Sequence, residues 1–375
     1  MAKRVGGDKW IFFTTVLLVA VGLAMVFSAS AVVADQGKYH SPYAFVGKQA
    51  LWALAGLVAL LFLSRLDYSL YKSPRFIFSA LSVTTFLLVL VFFIPSSHNT
   101  HRWIRFSDLF TLQPSEIAKP VLVLFLAWFL SSRLDKMGDW KSTLPRAIVI
   151  PLIFIALVFF EPDLGTALVL AGVTAMMMFL AGMAWKFLIG GVILSLPFLY
   201  WDLFWVSWRH QRIQVFERLV FHPVCDLKDL KESGAAGYHT CQSLIAVGSG
   251  GVAGLGFMDG QQKLFFLPEP YSDFIFANIA EEMGFIGAII LLVLFAYFGY
   301  RGLRTAFRSH DPFARLTAFG ITMTILLQAF FNISVVLALL PTKGLPLPLI
   351  SSGGTSLFFT LASIGILLNI SRKAD

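Results

Sequence analysis

Asp273 closes the segment LPEPYSD (267–273) and is followed at once by an apolar run that carries Glu281 and Glu282. An acid at the mouth of an apolar run has two uses. It can cap a helix, because Asp is among the best N-cap residues. It can also take a proton from a reacting hydroxyl as a general base. Phe265, Phe266, Tyr271, Phe274 and Phe276 lie around it in sequence. An apolar shell lowers the local dielectric and raises a carboxyl's pKa toward the range useful to a base. Ser272 already offers a hydroxyl for the cap, so the base is the favoured reading.

Cations recur where an anion could be gathered. NTHRWIRF (99–106) sets Arg102 and Arg105 around Trp103 and Ile104. Trp is a common interface anchor, but arginine suits planar recognition of phosphate. LQPSEIAKP (112–120) opens an apolar run. Pro114 and Ser115 are good helix starters, and Glu116 suits the positive dipole end. Lys119 adds positive charge to an end that is already positive. It either pairs with Glu116, three residues away on one face, or forms a cationic cavity wall. EPDLGT (161–166) puts Glu161 at a helix C-terminus, where the dipole disfavours it, and Asp163 where it can cap the next helix. LLPTKGLPLPLISSGGTS (339–356) carries Lys343, three prolines and a glycine pair in an apolar stretch. Broken helix at membrane depth survives only where it lines protein or a wet cavity.

A membrane frame must position these residues. The 375-residue chain is 57% hydrophobic and 13% charged, with 38 Phe. A soluble domain carries about 25% charged residues. Ten apolar spans are expected at 11–33, 46–64, 76–94, 115–131, 145–161, 164–182, 186–203, 274–299, 313–340 and 347–370. They do not alternate as barrel strands would, and in lipid they must be helices. The fold class is therefore an all-α polytopic membrane protein. Lys3, Arg4 and Lys9 before the first apolar run, with SASA after it, resemble a signal peptide. The run is too long for one, and an uncleaved first helix is expected. Lys and Arg concentrate in alternate short loops, which places both termini in the cytoplasm. The net charge of +8 has that cause. There is no basic run with interleaved aromatics, so no nucleic acid partner is expected.

One connection is long. Residues 204–273 are expected outside, between spans seven and eight, within a single membrane domain spanning 1–375. WRHQRIQVFERLVF (208–221) reads as a surface-lying helix, and CQSLIAVGSGGVAGLGFMDG (241–260) as a re-entrant or interfacial segment. Within it, GSGGVA (248–253) matches a dinucleotide fingerprint, but without the strand–helix unit that fingerprint needs. Close backbone packing is the better explanation. Cys225 and Cys241 share this loop with His222 and His239. A disulfide, two free thiols and a metal site all remain open, the disulfide being favoured in an oxidising compartment.

Taken together, NTHRWI, LQPSEIAK, EPDLGTA, QSLIAVGSGG, KLFFLPEPYSDFIFANIAEEMGFIG and LLPTKGLPLPLISSGGTSL resemble the SEDS family of shape, elongation, division and sporulation proteins (FtsW, RodA, SpoVE). The resemblance runs from the first span to the last and is closest to the cell-division branch, FtsW. Two positions depart from the usual pattern. Tyr271-Ser272-Asp273 stands where members commonly read His-Thr-Asp, and Ser352 where many have Tyr before the glycine pair. The cysteine pair is not part of the pattern.

The resemblance implies a peptidoglycan glycosyltransferase in the cytoplasmic (inner) membrane, at the division septum. Its substrate would be lipid II, a disaccharide-pentapeptide on undecaprenyl diphosphate. Its partners would be a class B penicillin-binding transpeptidase, other divisome proteins and membrane lipids. The residues fit that chemistry. Asp273 is the candidate base, and Arg102, Arg105, Lys119 and Lys343 the candidate diphosphate clamp. Glu116, Glu161, Asp163 and Ser351 complete the candidate substrate-binding set. A divalent cation, Mg or Mn, accompanying the diphosphate is the alternative to protein cations alone. Direct displacement inverts the anomeric carbon; double displacement needs a second carboxylate, for which Glu161, Asp163 and Glu281 are candidates. The competing functions are a lipid II flippase, a chemically inert scaffold, and an elongation rather than a division role. A flippase needs charge along a path from the inner side, and the charges instead cluster at outer span ends.

Overall fold

The computed structural model describes residues 7–36, 40–94, 102–105, 111–134, 140–205, 207–221 and 234–374. Among these are twelve α-helices. In chain order they are α1 (Lys9–Gln36), α2 (Ala44–Leu63), α3 (Pro74–Leu90), α4 (Pro114–Ser131), α5 (Trp140–Phe160) and α6 (Leu164–Leu180). There follow α7 (Trp185–Trp205), α8 (Ser207–Phe221), α9 (Gly234–Ser249), α10 (Ile275–Arg308), α11 (Pro312–Val336) and α12 (Gly354–Lys373). One small ladder, Ile104–Arg105 against Thr111–Leu112, leads into α4. Seven helices are long and apolar enough to cross a membrane, and three shorter apolar ones lie at Pro145–Phe160, Leu164–Leu180 and Trp185–Pro197. The chain is a multi-pass α-helical membrane protein.

Helix ends follow local chemistry. Ser73 accepts a hydrogen bond from the Phe76 amide and Pro74 opens α3; Asp311 and Pro312 do the same for α11. Apolar side chains need no water in lipid, so burial inside the protein separates central from peripheral helices. In α4 and α12, 72% of the apolar window is buried; in α2 it is 22%. Leu51, Leu54, Val58 and Phe62 of α2 face outward, while its inner side packs along α12. α11 lies among α4, α6 and α10. One end of the bundle is tied by ion pairs from Arg301 to Asp8, Lys72 to Asp311 and Lys373 to Asp67.

Several span boundaries depart from expectation. α10 runs on to Arg308, nine residues past the expected end at 299. α11 stops at Val336 and α12 starts at Gly354, whereas spans to 340 and from 347 were expected. Pro341, Pro346 and Pro348 cannot donate to a helical ladder. The irregular backbone between is bonded by buried side chains instead. Gln49 donates to the Ser351 carbonyl and accepts from the Gly353 amide, Gln328 donates to Pro346 and Asn332 to Leu345.

The glycine-rich stretch 250–256 doubles back onto α10. Leu255 and Gly256 donate to the Glu281 and Glu282 carbonyls, and Phe285 and Ile286 donate to Gly251 and Val252, all at 2.9–3.2 Å. The helix breaks there at Gly284, with φ +66°. A β-carbon on Gly250 would come within 2.0 Å of the Ala280 carbonyl oxygen. Close packing thus explains Gly250 of GSGGVA, while Gly251 is there for its left-handed backbone (φ +53°) and Gly248 has open space around it. The two glutamates complete the dock. Glu281 accepts from the Gln261 and Gln262 amides. Glu282 accepts from Ser28 (2.6 Å), Lys263 (2.6 Å) and the Met258 amide. Ser28, Lys263 and Glu282 are all at most 3% exposed.

Cys241 is buried and disulfide-bonded. Cys225, the chain's other cysteine, lies outside the described residues, as does His222. We expect thiol labelling of the denatured, unreduced protein to find no free thiol. The bridge would stabilise by roughly 3 kcal/mol in the chain-entropy model for a loop of about 15 residues. Two labelled cysteines would rule it out.

Candidate active site

Asp273 does not cap its helix. The N-cap of α10 is Phe274, and no side chain bonds that end. The segment is instead fixed by its backbone. Asn332 Nδ2 donates to the Asp273 carbonyl (2.8 Å), Ser351 Oγ to the Ser272 carbonyl (2.7 Å), and the Ser352 amide to Tyr271 (2.9 Å). The half-buried carboxylate accepts from Ser272 Oγ at 3.2 Å and lies against Gly344, where a β-carbon would come within 2.7 Å of Oδ2. Burial pushes Asp273 up to about 6, and the negative charge of Glu269 adds to the rise. Ser272 and Arg102 pull the other way, and Asp163 adds a further small rise. The aromatic shell is only partly as expected. Phe274 and Phe276 are buried and Tyr271 packs on Phe45 at 4.5 Å, but Phe265 and Phe266 are 61% and 51% exposed. They follow the loop's outward turn and do not enclose the acid.

Asp163 does cap. It accepts from the Thr166 amide and hydroxyl at the start of α6, and Gln113 Nε2 reaches it at 3.3 Å. This corner meets the Asp273 loop through Gly165, which packs tightly on Leu345. Arg102 donates Nε to the Glu161 carbonyl and a second N–H to the Pro162 carbonyl. The arginine thus grips the turn between α5 and α6 by its backbone, and its charge reaches both Glu161 and Asp273. Arg105 and Trp103 are exposed on the small ladder.

Glu161 is fully buried, and neither of its carboxylate oxygens has a partner. Burial pushes it up to about 9, with Asp163 adding to the rise and Arg102 opposing it. At neutral pH it is a protonated acid. The folded state therefore holds a proton that the unfolded chain releases between about 4.5 and 9. Stability falls as pH rises through that window. Glu161→Gln should melt at a higher temperature than wild type at pH 7 and flatten the slope of melting temperature between pH 5 and 9. An unchanged slope would show that Glu161 is ionised.

Glu116 and Lys119 form the ion pair that their spacing allows, at 2.7 Å with both side chains at most 5% exposed. Lys119 also donates to Gln328 Oε1 at 2.7 Å. It is thus paired and hydrogen-bonded, not a bare cation. Pair and amide line a narrow, partly open cleft between α4, α11 and α12, with Thr324, Thr360 and Ser363 beyond them. Ser351 is 4% exposed, donates to Ser272 and accepts from the Leu347 amide. It holds the loop in place, whereas the sequence suggested a substrate contact. Lys343 stands beside Gly344 in the loop that Arg212 of α8 grips through the Thr342 carbonyl. Glu281, offered as a second carboxylate, is committed to two backbone amides. Among the described residues no cluster of three His, Cys, Asp or Glu side chains has metal-binding geometry.

Gln49, Gln328 and Asn332 were not foreseen. Their signal was present: each is a polar amide inside an apolar span, and such residues face the protein interior.

A helical membrane bundle with buried charged groups at its helix ends defines the class: a polytopic membrane protein. Residues 8–375 match the family described as cell cycle protein, FTSW_RODA_SPOVE. The chain belongs to this FtsW, RodA and SpoVE family. It is 38% identical over 370 residues to a probable peptidoglycan glycosyltransferase FtsW of Geobacter metallireducens, covering 98% of this chain and 95% of that one. It is 35% identical over 384 residues to the stage V sporulation protein E of Bacillus subtilis, covering 99% and 98%. Its fold resembles a chain solved in work on "structural coordination of polymerization and crosslinking by a peptidoglycan synthase complex", with TM-score 0.77, 24% identity and 99% of each chain covered. It also resembles the rod shape determining protein RodA of Thermus thermophilus, with TM-score 0.69, 23% identity and 99% of each covered.

Proposed function

We propose that this chain is a peptidoglycan glycosyltransferase that polymerises lipid II on the outer face of the cytoplasmic membrane, in septal wall synthesis. The observation that carries the mechanism is Asp273: a carboxyl relieved of capping, gripped by its backbone, raised to about 6 and within the field of Arg102. It accepts the proton of the acceptor sugar's hydroxyl as that oxygen attacks the anomeric carbon. Arg102, Arg105, Lys119 and Lys343 face the departing diphosphate. The substrate is already activated by that diphosphate, so no ATP site is required. Mg or Mn would share the same charge.

Location of charge favours transfer over transport. Among the described residues the buried Asp, Glu, Lys and Arg side chains are Glu116, Lys119, Glu161, Asp163, Lys263, Glu281 and Glu282. On the inferred topology, ten spans with both termini cytoplasmic, all lie at outer ends of helices or in the 204–273 connection. A flippase would need polar groups along a path to the inner side. We take 1–375 as a single membrane domain that works with a class B penicillin-binding transpeptidase and other divisome proteins.

The test is purified protein in liposomes given labelled lipid II, with and without the transpeptidase. Glycan polymer supports the reading; translocation without polymer supports a flippase. In the same assay, Arg102→Gln and Lys119→Gln should each lower turnover per folded molecule by about 10²-fold, as expected for losing a donor to developing negative charge. Loss of thermal stability with turnover intact would make both residues structural.

A further inference from the structure

Asn332 and Gln328 stand one turn apart on α11, so their side chains lie on one face about 6 Å apart along the axis. Both are 2% exposed. Asn332 Nδ2 spends its hydrogens on two separate segments, the Asp273 carbonyl (2.8 Å) and the Leu345 carbonyl (2.6 Å). Gln328 Nε2 donates to the Pro346 carbonyl (2.9 Å), while its Oε1 accepts from Lys119 Nζ (2.7 Å). The two amides therefore tie four things to one rigid helix: the Asp273 backbone, residues 345 and 346 of the proline loop, and the Lys119 ammonium.

We infer that Asn332 and Gln328 are a positioning pair, holding Asp273 and Lys119 in fixed register across the site. The inference rests on the reading of Asp273 as base and Lys119 as an anion-binding cation. Neither amide touches substrate. The roles of its two ends differ. Asn332 sets where the carboxylate meets the acceptor hydroxyl, which matters during reaction. Gln328 sets where the Lys119 ammonium is presented to the cleft, which matters when the diphosphate binds. Gly344 directly precedes the two held residues, and its missing side chain lets the Asp273 carboxylate lie against the loop that both amides hold.

Initial polymerisation rates against lipid II concentration, in liposomes and per folded molecule, separate the two ends. Asn332→Asp keeps the shape and loses both donors. It should lower kcat by about 10²-fold, the size expected for a base displaced by about 1 Å, with KM within about twofold of wild type. Asn332→Ser serves the same purpose if the aspartate variant does not insert. Gln328→Met should raise KM by about 10-fold, the value of one charged hydrogen bond, with kcat little changed. Gln328→Asn, which keeps the amide but shortens its reach, should raise KM by less than Gln328→Met does. A wild type that makes no polymer overturns the enzymatic reading itself. With an active wild type, unchanged kcat in the Asn332 variants, or kcat and KM altered in the same proportion at both positions, overturns the positioning pair.

Discussion

Asp273→Asn should lower glycan polymerisation by about 10²–10⁴-fold, as expected for a lost general base, while the protein stays inserted and folded. Two structural facts make this substitution decisive. The side chain caps nothing, so asparagine has no cap to preserve or to spoil. The segment is held through the carbonyls of Tyr271, Ser272 and Asp273, which the substitution leaves in place. The carboxyl, raised to about 6 by burial, also predicts the pH profile. Wild-type turnover should rise with pH through about 6, as the base loses its proton, and then level. Stability runs the opposite way. An acid raised in the fold costs stability as pH rises from its ordinary value through about 6. The asparagine variant should be at least as stable as wild type at pH 7. Polymer on a gel, with a thermal melt beside it, reads both. Near-normal synthesis by Asp273→Asn would remove the acid from the mechanism.

Lys263→Met should be the most damaging single change to the fold. It leaves the Glu282 carboxylate with Ser28 and one amide but no counter-charge, inside a cluster where every member is at most 3% exposed. Breaking a buried pair in this way costs about 3–5 kcal/mol, whereas removing both charges often costs far less. Lys263→Met should therefore melt well below wild type, and Lys263→Met with Glu282→Met should recover much of the difference. The cluster joins α1, the 255–263 loop and α10, so the loss should appear as a lowered melting temperature in detergent before any assay of turnover. Equal melting of single and double variants would show the glutamate to be neutral, and the pair to be a hydrogen bond between uncharged groups.

Much of the frame was legible because lipid imposes one requirement, internal satisfaction of the backbone, on long apolar runs. The helices from α1 to α7 begin and end within a few residues of the expected spans. The end of α10 was placed nine residues short, because the helix continues through Arg301, Arg304 and Arg308, where apolar composition has already ended. The other misplaced boundaries flank the proline loop, where donors are missing and satisfaction comes from residues far away in sequence. No local pattern predicts that Gln49 bonds residue 351, or Asn332 residue 273. The site shows the same division. The cap at Asp163 and the ion pair of Glu116 with Lys119 are short-range, and spacing revealed both. Whether Asp273 capped or reacted was not decidable locally, because Asp serves both roles. Glu281 looked like a reactive candidate since sequence shows the charge but not the two backbone amides that absorb it.

The dock of residues 250–256 onto the break in α10 bears on how the molecule is made. Its backbone bonds run between residues at most about 35 apart in the chain. The hairpin from α9 to Ile286 can therefore satisfy its own polar groups soon after synthesis, before the last two helices exist. The grip on Asp273 comes later, from Asn332 and Ser351. Biosynthesis thus separates insertion from competence. A chain interrupted after α10 would carry its acid integrated and ungripped, and the segment around Asp273 would be fixed only once α11 and the loop to Ser351 had followed.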